Sequence, residues 1–457
     1  MRIQTRDADA ERMRTRGCAE QKLPAGVRSE DNFCGESAKR AIPPSPPSRD
    51  SPKNMRKLVS KLQSHHSHFL SLNALHIFND GFQASLLLLL PFIAATQHLS
   101  LTEVGILGTV VNVSGIILAL PAGYLAVKFG GLKTLVAALF VYALAFAGVG
   151  ILHNYYALFG MFLLAGIGFG LFHPIAFGLI AKWTPKERRG RTIGNFTAIG
   201  DVGRIAITAA LSFIVVLIGW ENTALLYAGA AILLGAGVRM FLRGREAPQN
   251  KTAPPIDMSL WQILRNRRLV FALAAAALDS FASASLYVFL PFLLLLRGID
   301  PALLGSFTAA FFFGNLFGKT LLGRLTDKIG SINVFLASDL LMAIFIMLLA
   351  TVTQVWAIIG CAIILGVFAK GTVPVLQAMM SDAVEHHGNY EKTFGIAGAI
   401  TNTAIAVAPI LLGAISDHFS IVVAFYIMGF AALLALIPGL GYYLTAHPRP
   451  TLTEKKS

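Results

Sequence analysis

From Phe69 to Leu444 the chain alternates long apolar runs with short polar gaps. The runs cover residues 69–95, 102–127, 132–152, 155–181, 192–218, 222–242, 269–296, 302–325, 333–352, 355–381, 392–416 and 420–444. An α-helix needs roughly 20 residues, at about 1.5 Å each, to cross a hydrocarbon core about 30 Å thick. Every run reaches that length, so the pattern predicts an all-α membrane protein with twelve transmembrane helices. The longest polar gap, 243–268, holds Pro248, Pro254 and Pro255 and divides the runs six and six. It is read as a cytoplasmic linker between an N-terminal six-helix bundle, 55–242, and a C-terminal one, 269–457, which ends in a short cytoplasmic tail. Residues 1–54 have no apolar period and are rich in Arg, Asp, Glu, Ser and Pro. They are expected to be a disordered tail. Met55, followed by Arg56, Lys57 and an apolar helix, is a candidate translation start.

Composition sharpens this picture. The chain is 55% hydrophobic and 14% charged, against about 25% charged residues in soluble domains. A net charge of +14 would suggest nucleic acid in a soluble protein. Here Lys and Arg crowd alternate gaps, as at Lys182, Lys186, Arg188, Arg189 and Arg191, while the opposite gaps hold little beyond Arg297. That asymmetry predicts an inner-membrane protein with both termini and the linker in the cytoplasm. The expected partners are the lipid bilayer and a small-molecule substrate, with no nucleic acid, and the chain is expected to be a monomer. Three cysteines are too few for a disulfide framework. No phosphate-binding loop, zinc spacing or nucleophile motif occurs, so neither an enzyme, a cofactor nor a metal is expected.

The two halves repeat at an offset of 200 residues. Leu90, Pro91 and Phe92 match Leu290, Pro291 and Phe292, and Gly105, Gly166 and Pro174 match Gly305, Gly366 and Pro374. Gly and Pro shape kinks and close helix contacts, so their register exceeds what shared greasiness produces. Parallel six-helix repeats suit a transporter that rocks two halves about a central site. After the second run come Gly123, Val127, Lys128 and Gly130; after the eighth come Gly323, Asp327, Lys328 and Gly330. Both segments resemble the gating-loop motif G-x-x-x-D-R/K-x-G-R/K-R/K of the major facilitator superfamily. Only the second keeps the acidic residue. The resemblance implies a charge latch at these loops. Within that superfamily, His76-x-x-Asn79-Asp80 and Phe172-His173-Pro174 resemble the H-x-x-N-D and F-H-P of the fosmidomycin-resistance drug exporters. This chain departs from them at Ile175, Asp201 and Arg204.

Charged groups within the runs are the candidate chemistry, because each costs roughly 2.5–3.5 kcal/mol at a helix centre unless paired or hydrated. Asp80 is the first candidate for proton coupling, as burial disfavours a lone ionised carboxylate; the alternative is a permanent salt bridge, with Arg204 as the partner. Asn79 is placed to orient Asp80. His76, one turn away on the same face, is either a proton relay or a neutral hydrogen-bonding group. Asp201 and Arg204 are either a self-neutralising i,i+3 pair, or Arg204 contacts an anionic substrate group and Asp201 or Asp80 releases it on taking up a proton. His173 is a substrate contact or an internal donor. Asp279 and Lys370 are expected to pair across the C-terminal bundle, with Asp279 in proton coupling and Lys370 at the substrate. Lys319 and Asp339 are expected to form a structural pair or to snorkel. Phe311, Phe312 and Phe313 are packing or lipid-facing groups, one of them a candidate to face the cavity.

The resulting expectation is a secondary transporter with the proton as coupling ion, exporting a small organic compound by alternating access. Proton-coupled uptake of a small organic anion is the alternative, and a non-transporting sensor on the same fold is the third reading.

Overall fold

The computed structural model describes residues 52–241, 265–384 and 390–446. The tail before Pro52 and most of the 243–268 linker lie outside the described residues. The described chain is helical almost throughout. The order is α1 (Pro52–Gln97), α2 (Leu101–Phe129), α3 (Gly131–Ile151), α4 (Tyr155–Trp183), α5 (Lys186–Phe241), α6 (Arg267–Ala284) and α7 (Leu286–Leu296). A 3-10 turn (Pro301–Leu303) then leads to α8 (Leu304–Ile329), α9 (Ser331–Thr351), α10 (Val355–Val384), α11 (Tyr390–His418) and α12 (Ile421–Ala446).

Among the described residues eleven segments are long and apolar enough to span a bilayer, and one of them, Thr192–Phe241, has 50 residues. A straight helix of that length would measure about 75 Å, more than twice the hydrocarbon core. Gly219 breaks it, with φ +81° and ψ 160°, a conformation that costs glycine least. The Tyr227 hydroxyl then donates to the Ile207 carbonyl at 3.0 Å. Two residues so far apart in sequence meet only if the chain doubles back, so α5 is a hairpin of two spans and the total is twelve. α6 and α7 form one span together, Arg267–Leu296, interrupted at Ser285.

The repeat is physical. Gly130 and Gly330, at φ 92° and 86°, each close one helix and open the next. Their N–H groups bond the Ala126 and Thr326 carbonyls. Gly166 of α4 abuts the backbone at Val111 of α2, and Gly366 of α10 abuts Phe311 of α8. Both partners are again 200 residues apart.

The halves meet along α2 with α11 and α5 with α8. At these crossings Gly105 faces the Pro409 carbonyl and Gly305 faces the Thr208 carbonyl. Side chains from one half also cap helix starts in the other. The Asp417 carboxylate accepts from Leu101 N at 2.7 Å, Thr102 N at 2.8 Å and the Thr102 hydroxyl at 2.5 Å. The Ser212 hydroxyl accepts from Gly305 N at 2.9 Å and donates to Ala302 O at 2.7 Å. All these contacts lie toward the end opposite the Gly130 and Gly330 loops. The halves are therefore closed at that end. At the loop end Asp327 and Lys328 are exposed, and among the described residues neither forms an ion pair.

Replacing Asp417 with Ala removes three hydrogen bonds from the start of α2. The expected cost is roughly 1 kcal/mol, as for a lost N-cap, or about fivefold in the population of the closed form. In a background lacking the native cysteines, a cysteine at Ala406 should react correspondingly faster with an impermeant maleimide.

Candidate functional site

Six of the residues singled out in the sequence converge between α1, α4 and α5. Asp80 is buried and is contacted from four directions. Arg204 Nη2 lies 2.8 Å from its Oδ2. His76 Nε2 lies 3.3 Å from the same oxygen. His173 Nε2 is 3.5 Å from Oδ1, and the Asn79 amide donates to Oδ1 at 2.9 Å. Arg204 reaches in the other direction as well, with Nη1 bonding Asp201 Oδ1 at 2.7 Å. The second oxygen of Asp201 accepts from Lys319 Nζ at 2.6 Å. Arg204 thus pairs with Asp80 and with Asp201.

The local sequence explains the convergence. His76 and Asp80 share a helix face at i,i+4, and Asp201 and Arg204 do so at i,i+3. Phe172 stacks on the His76 ring at 5.3 Å between centroids, and Phe196 stacks on it at 3.9 Å. The neighbouring His173 turns to Asp80. Gly200 leaves the space these groups fill: a Cβ there would lie 2.5 Å from Asp80 Oδ2 and 2.6 Å from His76 Nε2.

Lys319 was expected to pair with Asp339 or to snorkel, and the structure corrects this. Lys319 crosses from α8 to Asp201, so it joins the two halves. Its neighbour on that helix, Phe312, has its ring centre 5.8 Å from the Arg204 guanidinium. Phe311 and Phe312 are buried, while Phe313 is exposed. The expected Asp279–Lys370 pair does not form within 4 Å among the described residues. Lys370 Nζ instead lies 5.9 Å from the centre of the Tyr287 ring, and Asp279 lies beside Asp339 and Thr372. Lys370 lies near enough to the α1–α4–α5 cluster to feel the charges of Arg204, Lys319 and Asp201. Phe196 and Gly200 belong to the cluster and were not anticipated.

Electrically the cluster is balanced, with two carboxylates against Arg204 and Lys319 and two histidines in addition. His76 Nδ1 lies 2.9 Å from the Phe196 carbonyl. A carbonyl only accepts, so Nδ1 carries the hydrogen of that contact, and Nε2 is turned to Asp80 Oδ2. His76, Asp80 and His173 also bring three ligand atoms within 4.8 Å of one another. A metal cation there would face the guanidinium already on Asp80. His173, Arg204 and Lys319 retain 28%, 17% and 28% exposure, so the cluster has an accessible side.

The sequence profile of the Major Facilitator Superfamily matches residues 72–300 and 272–457. The MFS-type transporter YcaD of Escherichia coli (strain UTI89 / UPEC) is 23% identical over 306 residues, covering 65% of this chain and 76% of its own. A bacterial homolog of the human lysosomal transporter Spinster, inward-facing and unoccupied, superposes with a TM-score of 0.67. It is 14% identical over 84% of this chain and 97% of that chain. The nucleoside transporter NupG superposes with a TM-score of 0.65, at 14% identity over 82% of this chain and 99% of that one. Two profile matches over a twelve-span repeat, with the same fold in solved transporters, leave one conclusion: this chain belongs to the Major Facilitator Superfamily, as a multi-pass membrane transporter and not an enzyme.

Proposed function

We propose that the protein is a proton-coupled exporter of a small organic compound, working by alternating access in the inner membrane with both termini cytoplasmic. The observation that carries the coupling is the shared contact at Asp80 Oδ2, which lies 2.8 Å from Arg204 Nη2 and 3.3 Å from His76 Nε2. A proton entering that contact weakens the hold of Asp80 on Arg204. The guanidinium can then turn both of its nitrogens to Asp201, in competition with Lys319. Lys319 belongs to the other half, so its release loosens the contact between the halves. Proton binding and the exchange of conformations are thereby linked through differential binding in the two states.

The likeness of His76, Asn79, Asp80, Phe172, His173 and Pro174 to the fosmidomycin-resistance exporters supports the export direction and a drug-like substrate. One observation favours the second reading, uptake of a small organic anion. Among the described residues no carboxylate lies within ion-pair distance of Lys370, which leaves its ammonium available to an acidic substrate group.

In everted membrane vesicles holding a pH gradient, adding a transported compound should release protons, seen as recovery of a quenched pH-sensitive dye. A panel of antimicrobials and metabolites identifies the compound. If its accumulation persists after the gradient is collapsed, coupling to protons is wrong. Asp80→Asn should abolish gradient-driven accumulation while leaving exchange of the compound down its own gradient. Gly200→Ala forces a methyl group against Asp80 and His76, and Arg204→Lys cannot span two carboxylates as a planar fork does. Each should lower transport about tenfold or more, equivalent to about 1.4 kcal/mol, at unchanged yield in the membrane. Wild-type rates in either variant would count against the cluster as the transport site.

A further inference from the structure

The C-terminal half has buried carboxylates that this mechanism does not use. Asp279 of α6 and Asp339 of α9 are both buried, and their side chains lie near each other. One oxygen of Asp279 and both oxygens of Asp339 lack a hydrogen-bond partner. Thr372 of α10 lies beside Asp279, is fully buried, and has a hydroxyl without a partner. Three unpartnered acidic oxygens and a hydroxyl thus meet in a dry interior.

The surrounding helices supply little positive charge. On α10, Lys370 acts on Asp279 from beyond ion-pair distance. On α8, Lys319 is engaged with Asp201. α12 has no charged residue between Ile421 and Ala446. The described side chains of α11 add only Asp417 and His418, at its far end. The repeat makes the deficit plain. Asp279 stands 200 residues after Asn79, and Thr372 stands 200 after Phe172. In the N-terminal half Arg204 neutralises the carboxylate next to Asn79, Asp80; the counterpart of Arg204 200 residues on is Ala404. Two carboxylates cannot both stay ionised, side by side and away from water, without a counter-charge.

We propose that Asp279, Asp339 and Thr372 form a second binding site, for a single monovalent cation. The cation is either a proton shared between the two carboxyls or a sodium ion held by their oxygens and the Thr372 hydroxyl. This site is separate from the Asp80 cluster, and its occupancy does not depend on the export reading.

The test uses the purified full-length protein in lipid nanodiscs, as wild type and as the doubly neutral variant D279N/D339N. Infrared difference spectra over an alkaline titration report protonated carboxyls. Thermal unfolding in sodium chloride against choline chloride, at fixed pH, reports sodium. A shared proton gives a protonated-carboxyl signal in sodium-free buffer at neutral pH that the double variant loses. Bound sodium gives a saturable rise in the unfolding midpoint, specific to sodium and absent from the double variant. Either result supports the site and names its ion. A wild type that shows neither a protonated carboxyl nor sodium-specific stabilisation overturns the proposal, whether or not the double variant folds.

Discussion

Arg204 lies 2.8 Å from Asp80 and 2.7 Å from Asp201, inside the membrane-spanning part of the chain, and Lys319 closes the set from the other half. Four unpaired charges at this depth would cost on the order of 10 kcal/mol. Opposite charges about 4 Å apart recover about 4 kcal/mol at an effective dielectric constant near 20. The helices tolerate these residues because they are assembled together. One guanidinium between two carboxylates also makes the assembly sensitive: whatever alters Asp80 alters what Asp201 has left for Lys319. Packing of α5 on α8, the Gly200 notch and the aromatic sandwich around His76 all serve to keep this set in register.

The scaffold around it is nearly two-fold. Gly130 and Gly330 turn the same corner, Gly166 and Gly366 make the same crossing, and Asp417 and Ser212 each cap a helix start across the interface. The chemistry on the scaffold is not two-fold. His173 faces Val373, Arg204 faces Ala404, and Lys319 faces Ala119 in the repeat. One half therefore holds a neutralised cluster that reaches across the interface, and the other holds a carboxylate pair with no close counter-charge. Equal frames with unequal charge let a single ion or substrate bias one half against the other.

The spans, the 200-residue offset and most of the cluster were legible in the sequence, because apolar length, Gly and Pro register and intramembrane charge are local signals. His76, Asn79 and Asp80 sit on adjoining helical positions, so their association needed only the helix period. What escaped was set by packing between helices. Lys319 lies near the loop end of α8, where a long side chain could equally snorkel. Only the α5–α8 crossing brings it to Asp201. Asp279 lies beside Asp339, not Lys370, because the partner is set by packing between helices that composition does not encode. Phe196 carries no chemical signature. Gly200 offered one, since it stands one turn before Arg204 on the same face, where only a hydrogen leaves room for two side chains. The hairpin at Gly219 reconciles eleven helical segments with twelve apolar runs.

The link from Asp80 through Arg204 and Asp201 to Lys319 is tested most directly by distances between the halves. Phe129 and Ile329 are exposed, end α2 and α8 at the loop face, and are equivalent in the repeat. Spin labels on cysteines at these two positions, in a background without the native cysteines, report that end by pulsed electron resonance. Acidification should shift the distribution to shorter distances as the loop end closes. Asp80→Asn should show the acid distribution already at neutral pH and respond little to further acid. An Asp80→Asn protein whose distances follow pH as the parent's do would contradict the link.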